Sequence, residues 1–229
     1  RGLVGSEMCI RDRSKRSRYQ SRTLKMNQTI DLLSNHRSIR KFTDEPVDPD
    51  LFSRLVEAAQ ASASSSFLQG VTIIRVTDPG KRVALRDVAG GQAYVETAPE
   101  FLVFCADLSR PMRCCRQHGG TPAEGLTEQF VIATVDAALY AQNLVIAAES
   151  AGLGICYIGA LRNDPAKVTE LLDLPQQVYP VFGLCLGHPA QDPEVKPRLP
   201  VSVTLKTDSY STEGEDEAIA AYDEEMRTY

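Results

Sequence analysis

Apolar and polar positions alternate along this chain with periods that mark out its elements. From Leu126 to Gly152 apolar residues lie nearly all round a helical wheel, which predicts a central helix of about 27 residues. Asp136, Gln142 and Asn143 interrupt that stretch, so it reads as a buried core helix rather than a bilayer span. Asn27 to Asn35 predicts a short helix with Ile30, Leu33 and Leu32 turned inward. Asp48-Pro49-Asp50 is a helix start, with Asp capping and Pro in the first turn, and Leu51, Leu55, Ala58 and Ala59 give that helix its apolar face to about Gln60. Asp78-Pro79 and Asp164-Pro165 start two more helices, the first ending at Gly90-Gly91 and the second at Leu172.

Strands are predicted at Val71 to Val76, Phe101 to Ala106, Ile155 to Gly159 and Tyr179 to Leu186. The run Phe101-Leu102-Val103-Phe104-Cys105-Ala106 is continuously apolar, which requires cover on both faces. Ser109 to Gly125 reads as a polar loop, Val201 to Leu205 as a last strand, and Glu215 to Tyr229 as a final helix. The fold class that follows is mixed α+β.

Composition changes this picture little. The 229 residues are 43% hydrophobic and 24% charged, enough for one large domain. Charge is uneven: residues 1–25 carry eight Lys/Arg against two acids, whereas the rest carries 17 against 28. The leader has no hydrophobic period and no targeting pattern, so it is expected to be a non-native, disordered segment. Met26 opens the amphipathic pattern, and the domain is expected over residues 26–229. An acidic body argues against nucleic acid as a partner. No apolar run of about 18 residues suggests a membrane span. The absence of CxxC pairs and of a signal peptide points to a reducing cytoplasm. Cys114, Cys115 and His118 lack a fourth ligand at zinc spacing, so no metal is expected.

Candidate chemistry concentrates in His36-Arg37-Ser38-Ile39-Arg40-Lys41-Phe42. In a helical turn Arg37 and Arg40 would share a face, and two guanidiniums beside a hydroxyl suit a phosphate. The alternative is a solvated basic turn. Ser64-Ser65-Ser66-Phe67-Leu68-Gln69 is either a flexible loop or the lining of a polar ligand site. No dinucleotide fingerprint, P-loop, nucleophile elbow or metalloprotease motif occurs.

Five motifs stand in a telling order: His36 to Arg40, Ser64 to Gln69, Gly90-Gly91-Gln92, Tyr157-Ile158-Gly159, and Lys196-Pro197-Arg198-Leu199-Pro200. Together they resemble the nitroreductase family, in particular its oxygen-insensitive NADPH nitroreductases and flavin reductases, from Met26 to the C-terminus. The resemblance implies a mainly antiparallel sheet flanked by helices, and a homodimer holding FMN at the subunit interface. It implies an NADPH oxidoreductase that reduces nitroaromatics and quinones by two electrons in ping-pong exchange. Flavin reduction, or a non-catalytic nucleotide-binding module, is the alternative. Carried over by motif, the FMN contacts would be His36, Arg37, Ser38, Ile39, Arg40, Ser64, Gln92, Tyr157, Ile158, Gly159, Ala160, Lys196, Pro197 and Arg198. Arg40, Ser66 and Phe67 would line the substrate side, and no side chain need act as acid or nucleophile. Ala160 departs from the family's usual Gly and would crowd the flavin if its φ were positive. Relatives of this kind continue past Tyr229, so the domain is expected to lack its C-terminal end.

Overall fold

A computed structural model describes residues 27–229; the expectations for residues 1–25 and for Met26 lie outside it. Its centre is one antiparallel sheet of four strands: β1 (Val71–Arg75), β2 (Glu100–Asp107), β3 (Gly154–Ile158) and β4 (Val178–Gly187), in the order β1-β2-β4-β3. All three pairings are antiparallel, with one register shift between Phe104 and Cys105.

Every residue of β2 is buried, as its unbroken apolar run requires. The reason is a layer of helices on each face. On one side Phe101, Val103 and Cys105 of β2 meet Cys156 and Ile158 of β3 and Cys185 of β4. Leu85 of α3 (Pro79–Val88), Val95 of α4 (Tyr94–Thr97) and Val168 of α7 (Pro165–Leu171) cover them. On the other side Leu102, Phe104, Ile155, Leu184 and Leu186 pack under Leu55 and Ala59 of α2 (Pro49–Gln60) and Leu144, Val145 and Ala148 of α6 (Thr127–Ser150). Period-two alternation therefore sends successive residues of each strand into opposite halves of the core.

The helix starts read from Asp-Pro pairs are present. Asp48 Oδ1 accepts from Leu51 N–H at 2.8 Å, Asp78 Oδ1 from Lys81 N–H at 2.7 Å, and Asp164 Oδ1 from Lys167 N–H at 2.8 Å. Each Pro follows in the first turn, where its missing N–H has no intrahelical partner to lose.

Several expectations are corrected. The basic segment after α1 (Gln28–Ser34) is not a helical turn but extended chain, because Ile39 N–H donates to Ile155 O at 2.8 Å and binds the segment to β3. Ile30 and Leu33 are exposed rather than inward. The span 109–125 contains α5 (Ser109–Gln117): Asp107 Oδ1 caps Arg110 N–H at 3.1 Å, Pro111 sits in the first turn, and Met112 is buried. Residues 201–204 form a short helix, α8 (Val201–Thr204), not a strand. That segment lies against α9 (Glu215–Thr228) instead of a sheet edge, so it has no ladder to join.

α6 is long and apolar enough to cross a membrane by composition alone. It buries Ala133, Asp136, Ala137, Ala141, Leu144, Val145 and Ala148 inside the protein, which makes it the core helix expected. Its opposite face, however, exposes Val131, Val135 and Leu139, while Leu126 at its cap and Phe130 in its first turn are exposed on the inward side, Phe130 stacked on Tyr179 at 5.2 Å.

Phe104 is fully buried beneath Tyr140 and Phe182, with ring centroids 6.3 and 5.5 Å away. Phe104→Ala is expected to cost about 3–5 kcal/mol in a chemical denaturation curve, with an unchanged m-value.

Candidate functional site

The extended segment after α1 carries its cations because Ile39 anchors it. The Ile39 side chain is buried against Gly154, the first residue of β3. A Cβ on Gly154 would lie 2.6 Å from Ile39 Cγ1 and 2.8 Å from its Cβ, so glycine is what admits the close approach. With Ile39 turned inward, its neighbours Ser38 and Arg40 turn outward. They meet the loop between β4 and α8, which bridges back at Phe42 and Pro189.

One cavity of about 120 Å³ results, lined by His36, Arg37, Ser38, Arg40, Lys196, Arg198, Glu194 and Tyr229 among others. Residues about 160 positions apart in sequence thus share one site. Arg37 pairs with the exposed carboxylate of Asp192. Arg40, Lys196 and Arg198 form no ion pair among the described residues. His36 Nδ1 lies 2.6 Å from Glu149 Oε1, at the end of α6, which fixes the imidazole's orientation.

Arg40 also reaches toward the opposite helical layer. Its guanidinium lies beside the Tyr94 hydroxyl, which donates to Gln92 Oε1 at 2.6 Å. Burial, then the nearby Cys156 thiol, raises the Tyr94 phenol's pKa, and Arg40 opposes that shift. Gln92 is thereby joined to the basic segment, and Tyr94 is a site neighbour that the motif reading missed. Its spacing two residues after Gln92 was the available signal.

The Tyr157-Ile158-Gly159-Ala160 stretch closes β3 and enters a 3-10 turn, Gly159–Asn163. The Tyr157 ring packs edge-on to Phe182 at 5.1 Å, with its hydroxyl 3.4 Å from Gln142 Oε1. Ile158 is wholly buried in the core, so its side chain, like that of Ile39, cannot face a ligand; only backbone is left to do so. Ala160 does not have positive φ, and its methyl packs on the core, which removes the crowding anticipated there. Lys196, Pro197 and Arg198 lie in irregular chain, with Lys196 and Arg198 exposed.

Ser64, Ser66 and Phe67 are not in the basic cavity. Ser64 Oγ donates to Asp136 Oδ2 at 2.6 Å, in the middle of α6. The 3-10 turn Ser65–Phe67 holds Ser66 and Phe67 at φ of 50° and 54°, and Gln69 follows at 52°. Each such left-handed residue costs roughly 1–2 kcal/mol relative to ordinary backbone. Phe67 is 78% exposed.

The donor set defines a class. Arg37, Arg40, Lys196 and Arg198, with a hydroxyl and an imidazole, outnumber the acids Asp192 and Glu194, a donor set whose chemistry suits an anion. The donor set suits the phosphate of a cofactor such as FMN. Comparison with known proteins names the family. Residues 33–188 match the domain model described as the nitroreductase family, and residues 196–229 match that family's C-terminal domain. The chain belongs to the nitroreductase family. It is 48% identical to the oxygen-insensitive NADPH nitroreductase of Salmonella typhimurium over 204 residues, 89% of this chain and 83% of that protein. It is 46% identical to an FMN reductase (NADPH) of Bacillus subtilis, over 89% of this chain and 84% of the other. The solved NADPH:FMN oxidoreductase of Vibrio harveyi, complexed with NAD+, superposes with a TM-score of 0.83 at 48% identity, covering 89% and 86% of the two chains.

Two outcomes follow. Gly154→Ala should displace Ile39 and with it the basic segment, lowering stability by about 1–3 kcal/mol by denaturation and weakening flavin retention. Burial, aided by Glu149, pushes the Tyr157 phenol from 10.0 up to about 12. Its folded pKa exceeds its unfolded one, so its contribution to stability is complete below pH about 10 and is lost as pH rises towards 12. Ultraviolet titration of Tyr157→Phe should lack one late-ionising phenol that the parent shows.

Proposed function

We propose that this chain is an FMN-dependent NADPH oxidoreductase that reduces nitroaromatics and quinones by two electrons. The observation that carries the reading is the convergence of residues 36–40 with residues 196–198 on one cationic cavity. Three cations without carboxylate partners among the described residues repel one another, and a phosphate ester of nearly two negative charges relieves that repulsion. Arg37, Lys196 and Arg198, with Ser38 and His36, are assigned to the phosphate. Arg37 can exchange its exposed partner Asp192 for a phosphate at little cost, since surface ion pairs are weak.

Bound FMN supplies the hydride chemistry. Arg40, held near Tyr94 and Gln92, is assigned to the ring side, where a fixed cation stabilises negative charge. The Tyr157-Ile158-Gly159-Ala160 backbone, at the end of β3, is assigned to the ring's flank. No described side chain is asked to transfer a proton. NADPH and the acceptor use one open face in turn, which is ping-pong exchange, and few polar demands on the acceptor give breadth. Reduction of free FMN by the same protein is the companion reading, favoured by the names of the Bacillus and Vibrio relatives.

A homodimer with composite sites is part of the proposal. Asp136 holds the Ser64 loop and Glu149 holds His36, thirteen residues further along α6, about 20 Å by helical rise. The substrate loop of one protomer is therefore assigned to the flavin of the other. The exposed apolar stripe Val131, Val135 and Leu139, with Ile30 and Leu33 of the adjacent α1, supports a buried two-fold interface.

The purified full chain should be yellow, should oxidise one equivalent of NADPH per bound flavin without an acceptor, and should turn over only when an acceptor is present. Arg40→Ala should weaken FMN binding by about 1.5–3 kcal/mol, roughly tenfold to a hundredfold, or lower its potential. Flavin content, potential and turnover all at parental values would remove Arg40 from the site. The ratio of turnover with free FMN to that with nitrofurazone separates the two companion readings.

A further inference from the structure

Asp136 is out of place by its neighbours. It sits in the core-facing stripe of an apolar helix, 2% exposed, and no cation among the described residues pairs with it. A buried carboxylate must be satisfied by donors. Three donors from one loop meet it: Ser64 Oγ–H at 2.6 Å, Ser65 N–H at 3.2 Å and Gly70 N–H at 3.2 Å. Two of these groups open the loop and one closes it. Ser64 Oγ in turn accepts from Gln69 N–H at 2.7 Å, which shortens the span further.

Between those anchors lie three non-glycine residues at positive φ, Ser66, Phe67 and Gln69. Such backbone persists only where its surroundings over-determine it. Here the surroundings are the carboxylate and the ladder of bonds it anchors, Ser64 Oγ–H, Ser65 N–H and Gly70 N–H to Asp136 and Gln69 N–H to Ser64 Oγ. The product of the strain is the outward aim of Phe67, an aromatic ring with almost no cover within its own chain.

We propose that Asp136 is a positioning residue for acceptor binding: from the middle of α6 its carboxylate clamps residues 64–70 in a strained loop, so that Phe67 is presented as a flat apolar wall. This rests on the proposed assignment of Ser66 and Phe67 to the substrate side. Asparagine keeps the size of the group but turns one acceptor into a donor, so one loop N–H or O–H loses its partner.

Two measurements on Asp136→Asn test it. In the flavin-free full chain, hydrogen exchange of the amides from Ser65 to Gly70 should quicken about tenfold, while the sheet and the rest of α6 keep their protection. In the FMN-loaded protein, KM for nitrofurazone should rise about tenfold while kcat and FMN content change less than about twofold. Loop exchange at the parental rate overturns the clamp. Faster exchange with an unchanged KM overturns the role in acceptor binding. Should Asp136→Asn not fold, Ser64→Ala removes the shortest of the three bonds; the same amides should then exchange faster, and a parental rate in that variant overturns the clamp equally. The exchange arm needs neither flavin nor turnover, so a parent protein that fails to reduce nitrofurazone would count against the functional reading and leave the clamp to be judged separately.

Discussion

The packing of α6 across the sheet is the constraint on which the rest depends. Its inward face is largely alanine, at Ala133, Ala137, Ala141 and Ala148, so helix and strands approach closely. Leu144 and Val145 then fill the space over Leu102, Phe104 and Leu184. Once that contact is made, the two acids on the helix are fixed in space. Asp136 takes the serine loop and Glu149 takes His36. The helix thus sets the separation between the serine loop and the basic segment.

A second layer of order comes from β3. One backbone hydrogen bond, Ile39 N–H to Ile155 O, and one missing Cβ, at Gly154, convert a hydrophilic segment into a positioned array of cations. The array is costly by itself. Arg40, Lys196 and Arg198 gather on a chain whose net charge is acidic, yet they carry no ion-pair partners among the described residues. Unneutralised like charges held together are what a pre-organised anion site looks like, because the repulsion is spent in the fold and recovered on binding.

Much of the fold was legible because local rules and tertiary demands agree. Three Asp-Pro pairs cap helices, and an apolar run with no polar phase must be covered on both sides. The misreadings came where local rules say little. Residues 109–117 look like a loop by polarity, but capping by Asp107 and burial of Met112 make them a helix. The β-branched residues of 201–204 suggest a strand, and with no edge to pair with they coil against α9 instead. In the candidate site, motif spacing named two segments, 36–40 and 196–198, that the fold brings to one cavity. It could not say that Ile39 and Ile158 turn their side chains into the core, or that the Ser64 hydroxyl is already committed to Asp136.

The amino-acid order by itself determined the layers, the buried strand, the long central helix and the family's set of motifs, because each is written in periodicity, caps or side-chain type within a short window. Tertiary structure alone decided that residues 36–40 and 196–198 share a cavity, that the serine loop stands apart from them, and that one flank of α6 is left bare. Those are distances between segments far apart in the chain, and distance across a fold is set by packing that no local stretch encodes.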